Sequence, residues 1–160
     1  LPELDTAATG EGEELVSALL EAADDLDLDV RVVDPVEWDH GDAKGVCTSR
    51  NPMSMQPLVE VVDRSNEADL ATTLIHEYAH ARLHFDVDDT DERAKREVEA
   101  EAVAYAVGRY FGLDTSNSAF YLAAWNADDT DEIQERLQRI SATAAEIIGV
   151  LARREPLEQA

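Results

Sequence analysis

The chain has 160 residues, 44% of them hydrophobic, which is long enough to bury one core and short for two. No stretch approaches the ~20 consecutive apolar residues that a membrane-spanning helix needs. The 36 acidic residues against 13 basic ones leave a formal net charge of −23, and without a basic patch interleaved with aromatics direct nucleic-acid binding by this domain is disfavoured.

That charge destabilises a compact state in dilute salt and is screened in concentrated salt, so the composition reads as halophilic. The sharper alternative is an acidic surface that mimics DNA for a nucleic-acid-binding partner. The opening "LPELDTAATGEGEEL" has neither the basic start nor the apolar core of a signal peptide. It lacks a Met and reads as loop, so residues 1–12 are expected to be a linker from an upstream part, with 1–160 a single domain. Cys47 is alone, which allows no internal disulfide and only one thiolate ligand; a cytoplasmic setting fits.

In chain order the pattern is α+β, mainly helical with about three strands. Leu15, Leu19, Ala22 and Leu26 recur at helical spacing over 13–26. "DVRVVDP" reads as a strand stopped by Pro35, "GVCTS" as a short strand among turns, and "PLVEVVD" as a stronger strand. "SNEAD" offers a Ser or Asn cap with acids in the first turn, so a helix follows from there. Beyond the acidic loop "DVDDTDE" a second long helix is expected over about 91–111, closed by Gly112 at its C-terminus. Helices over about 116–126 and 130–153 complete the chain.

The first of these long helices carries "TLIHEYAHARLH", residues 73–84, with three of the four histidines of the chain. At about 100° per residue Leu70, Leu74, Tyr78, Ala81 and Phe85 gather on one side, whereas Thr73, His76, Glu77, His80 and His84 occupy a separate arc. Residues four apart on a helix are close enough for two imidazoles to grip one ion, and the intervening Glu77 then lies beside it. This H-E-x-x-H arrangement predicts Zn²⁺ held by His76 and His80, with Glu77 as general base toward a zinc-activated water. The bland reading is a helix with surface histidines, and the concentration of histidines at this spacing outweighs it.

A catalytic zinc site needs a third protein ligand. A metzincin would take it six residues beyond the second histidine after a glycine; Leu83 and Asp86 stand at those positions, which makes Asp86 a lesser alternative. His84 continues along the same helix and reads as a supporting or packing histidine. The better source is "KREVEAEAVAYAVGRYFG", where Glu97, Glu101, Ala104, Tyr105 and Gly108 share a face and Glu99 lies roughly opposite Glu97. The wheel demotes Glu99 but leaves Glu97 and Glu101 open, against a background in which any one of these acids reads as part of a solvated face.

"TLIHEYAHARLH", "REVEAEAVAY" and "GLDTSNSAFYLAAW" together resemble the zincin-like metallopeptidase domain of ArdC-type antirestriction proteins, related to the wider ImmA/IrrE group. The resemblance covers about residues 60–126. In the wider group the zinc-binding acid opens an E-x-x-A-N/D-x-F-A pattern, which here runs from Glu97 to Ala104. The resemblance thus implies Glu97 as third ligand and Glu101, in place of Asn or Asp, as a partner orienting a ligand histidine; Val103 replaces the Phe. It also implies peptide-bond hydrolysis on a protein or peptide substrate, and an upstream domain that binds single-stranded DNA, none of whose motifs occurs here. Tyr105 and Tyr121 are candidate oxyanion donors, although such tyrosines more often pack in a core. The competing class is a non-catalytic, zinc-stabilised interaction module, for which a base beside an open ligand position has no use.

Overall fold

In the computed structural model, residues 2–48, 53–84, 93–113 and 130–154 are described. The elements run α1 (Pro2–Ala22), a single 3-10 turn (Asp24–Leu26), β1 (Asp29–Val33), β2 (Gly45–Thr48), β3 (Leu58–Val62), α2 (Glu67–His84), α3 (Arg93–Tyr110) and α4 (Thr130–Arg154). This is the expected α+β class. The expected helix over 116–126 lies outside the described residues, as do Phe85, Asp86, Tyr121 and the acidic loop.

The first helix corrects the reading of residues 1–12 as loop, because α1 is helical from Pro2. Glycine is a poor helix former, yet Gly10 and Gly12 both lie inside α1. Tertiary packing reverses the argument at Gly12: a Cβ there would stand 2.8 Å from the backbone nitrogen of Ala68 in the first turn of α2, so the glycine is what lets the two helices close. Leu15, Leu19 and Ala22 point into the core as their spacing requires, and Leu26 follows them from the 3-10 turn.

The sheet has the order β1-β3-β2, with β3 parallel to β1 and antiparallel to β2. Val59 and Val61 alternate with partly exposed neighbours along β3 and are fully buried, which sets the face that packs on the helices. Gly45 pairs with Val61 and Cys47 with Val59, so both share that inner face.

Asn66 caps α2: its Oδ1 accepts from the backbone N–H of Asp69 at 3.0 Å, and Glu67 and Asp69 complement the positive end of the helix. Leu70, Leu74, Tyr78 and Ala81 are buried as the wheel required, but so are Ala71, Ile75 and Ala79. The apolar arc is wider than the sequence pattern suggested because α2 packs against α1, α3, α4 and the sheet at once. The Tyr78 hydroxyl, buried with its ring, donates to the Leu19 carbonyl of α1 at 2.7 Å. At the far end of α3, Gly112 adopts φ 87° and the N–H of Leu113 bonds back to the Gly108 carbonyl at 2.9 Å, a Schellman stop.

Candidate metal centre

Three elements bring the site together. α2 presents His76, Glu77 and His80 on its one polar arc, α3 lies alongside and offers Glu97 and Glu101, and the start of β2 closes the other wall with Lys44 and Gly45. The cleft between them measures about 440 Å³. Arg64 fastens the β2 wall to the helix: its guanidinium pairs with Asp69 in the first turn of α2 and also donates to the Lys44 carbonyl at 3.2 Å. Lys44 itself reaches Asp69 at 3.4 Å.

Glu97 meets both histidines. One carboxylate oxygen is 3.1 Å from His76 Nε2 and the other is 3.2 Å from His80 Nε2. The two imidazole rings are 4.8 Å apart between centroids, at 75° to one another. One donor atom from each of His76, His80 and Glu97 fits within a 4.8 Å set. Zinc with ligands at about 2.0–2.2 Å in a tetrahedron spaces neighbouring donor atoms ~3.3 Å apart, so the three groups are of the right chemical type for the ion and would have to draw together to hold it.

Glu101 takes a different place. Its Oε2 lies 3.1 Å from His76 Nδ1, the ring nitrogen turned away from Glu97. The geometry distinguishes the two acids that the helical wheel could not: Glu97 spans two histidines, whereas Glu101 meets only His76, at its other ring nitrogen, from the same cleft.

With a carboxylate at each ring nitrogen, His76 is set up as an imidazolium. Burial lowers its pKa, but the hydrogen bonds to Glu101 and Glu97, with the charges of Glu77 and Glu97, overcome that and raise it to about 10. The Glu97 carboxyl is driven well below the usual range by its bonds to His76 and His80.

Glu77 is 7% exposed, and burial raises its pKa against the lowering influence of the two histidines. Part of that burial comes from Gly45. A Cβ on Gly45 would lie 2.9 Å from Glu77 Cγ and 3.0 Å from the Thr73 methyl, so only a bare backbone allows β2 this close. The sequence reading missed this role for Gly45; the signal was a glycine opening a short strand, a common mark of close backbone approach. Beneath the same wall the Cys47 thiol is pushed up to about 12 by burial and by Glu77, which keeps it from acting as a thiolate.

One expectation needs correction. Glu99 faces away from Glu97 as the wheel required, but it is not on a solvated face: it is fully buried, held by Arg136 and Arg139 of α4. Tyr105, for which packing was the commoner reading, is not among the residues that line the cleft, and the Arg109 guanidinium sits 5.9 Å from its ring centre. The side chain of His84, with Asp86 and Tyr121, lies outside the described residues.

No family model matches the chain, and no solved structure matches it. It is similar to an uncharacterized protein of Bacillus anthracis, with 34% identity over 92 residues. That alignment covers 55% of this chain and 16% of the Bacillus protein. The chain thus spans a small part of that relative's length, and the likeness brings no function with it. Among the described residues no helix is long and apolar enough to cross a membrane.

Proposed function

We propose that this cleft is the active site of a zinc-dependent peptidase. The observation that carries the reading is the grouping of His76, His80 and Glu97 within 4.8 Å, with the buried Glu77 lining the cleft beside His76 and Glu97. A merely structural zinc site would be closed by four protein ligands and would have no use for a sequestered base.

His76 and His80 through Nε2, and Glu97 through a carboxylate oxygen, are the groups that would hold the ion. Bound there, zinc would polarise the scissile carbonyl and acidify a water molecule. The residues do the rest. A carboxylate oxygen of Glu77 accepts the water proton and later returns it to the departing amine. Its raised pKa suits both halves of that task, because a carboxyl that holds a proton more readily than a solvated one can pass it on. Glu101 fixes the His76 ring through Nδ1 so that Nε2 faces Glu97. The close approach of Gly45 contributes to the burial of Glu77.

The resemblance to ArdC-type and ImmA/IrrE domains supports the same chemistry and extends it to a regulatory or antirestriction protease acting on a protein or peptide in the cytoplasm of a halophile. The test is Glu77→Gln, which preserves shape and all three metal-holding groups. Zinc should stay near one per chain, while cleavage of a native substrate, found by comparing cellular protein abundances between parent and variant, should fall at least ~10²-fold. If both versions rescue a deletion strain equally and no cleavage product differs, the non-catalytic module with an acidic surface replaces the peptidase.

A further inference from the structure

The buried charge cluster between α3 and α4 lies outside the cleft, and the proposed chemistry makes no use of it. Glu99 is fully buried. Its Oε2 accepts from the Arg139 guanidinium at 2.8 Å, and its Oε1 lies 3.3 Å from Nη1 of Arg136, whose side chain is 5% exposed. Glu99 stands two residues from Glu97 and two from Glu101, so the three acids belong to one rigid turn, with Glu99 on the side away from the cleft.

The apolar contacts of this helix are small. Among the described residues, Ala100, Ala102, Val103, Ala104 and Val107 are its buried hydrophobic side chains, with Val98 and Ala106 packed against them, and none of these is a long knob that would lock into a neighbouring groove. Such a surface permits close approach but fixes rotation about the helix axis weakly. Rotation is what the site cannot tolerate. Side-chain tips ride about 5–6 Å from a helix axis, so a turn of about 20° moves them ~2 Å. That displacement would part Glu97 from the two nitrogens it now meets at 3.1 and 3.2 Å.

We infer that Glu99, Arg136 and Arg139 form the rotational lock of α3, a positioning device that holds Glu97 and Glu101 against the histidines of α2. The two arginines stand one helical turn apart on α4 and grip opposite oxygens of a single carboxylate, which resists rotation in either direction. A buried ion cluster of this kind adds little net stability over an apolar replacement of similar volume, because desolvation offsets the attraction; its best-attested use is to specify register. The metal function of the lock rests on the zinc-centre reading proposed above, whereas its geometric function does not.

The experiment replaces the buried pair by apolar residues, Glu99→Met with Arg136→Leu. Arg139 is kept, since its side chain is 47% exposed and its head can turn to water. Cobalt(II) is titrated into the metal-free parent, the double variant and a His80→Ala control, following the visible absorption bands, and thermal unfolding of each metal-free form is recorded. The double variant is expected to melt at or above the parent temperature, to bind cobalt at least ~10-fold more weakly, and to show an altered band shape. An equal affinity and an unchanged spectrum in a folded double variant overturn the lock. If the parent itself takes no cobalt, the metal-centre reading falls, and a crystal structure of the metal-free double variant then decides the lock: Glu97 displaced from the histidines supports it, and Glu97 in place refutes it. Should the double variant not fold, Glu99→Gln is read by the same two measurements.

Discussion

Zinc binding should be paid for in protons, and His76 sets the amount. In the metal-free protein its pKa is about 10 against an ordinary value of 6.5, so at pH 7 only about one molecule in a thousand presents the neutral imidazole that zinc requires. Apparent affinity at pH 7 is therefore lower by ~10³, or about 4 kcal/mol, than for the same site with His76 neutral, and it rises about tenfold per pH unit toward pH 10. With the His76 side chain 17% exposed, solvent screening removes only part of this effect. Calorimetric titration of zinc in buffers of different ionisation enthalpy, in molar salt, should show a net release of about one proton per zinc near pH 7. Glu101→Gln removes the main interaction that raises the His76 pKa. It should flatten the pH dependence and weaken binding by about 10–100-fold once His76 is neutral in both proteins. The sign is opposite for the metal-free fold. A His pKa raised on folding gives stability that is complete below pH 6.5 and lost as pH climbs through about 10. Zinc affinity that does not change between pH 6 and 8, with no proton released, would refute the reasoning.

Gly45→Ala should retain zinc but lose most activity, because the new methyl would overlap Glu77 Cγ at 2.9 Å and push the base aside; zinc content and turnover measured on one preparation would separate the two effects. Tyr78→Phe removes the buried bond to the Leu19 carbonyl and should cost about 1 kcal/mol, lowering the melting temperature by about 2–4 °C. Lowering salt well below molar should unfold or expand a chain of net charge −23, and a circular dichroism spectrum unchanged down to dilute buffer would remove the halophilic reading.

Local chemistry was the legible part of this fold. The Asn66 cap, the period-2 burial of β3, the Gly112 stop and the polar arc of α2 all follow from interactions within a few residues. The same is true of the wheel that set Glu99 opposite Glu97. Illegible were the features that depend on which helix meets which. No local pattern reveals that Gly12 would serve close packing against α2, or that α4 would cover the far side of α3 and bury Glu99. The two open carboxylates show the boundary well: helical periodicity put Glu97 and Glu101 on one face, and only the placement of both histidine ring nitrogens told them apart.

The strand order has a consequence for how the molecule is made. The middle strand, β3, is the last of the three in sequence. As the chain leaves the ribosome, β1 and β2 emerge first and have no pairing with each other to form. The sheet closes only when residues 58–62 arrive, and after a link of four residues the histidine helix begins. Sheet closure and delivery of His76 and His80 to their place are thus nearly one event, late in the emergence of the first half of the chain. The two histidines are therefore not brought to the cleft until the strands that wall it are ready to pair.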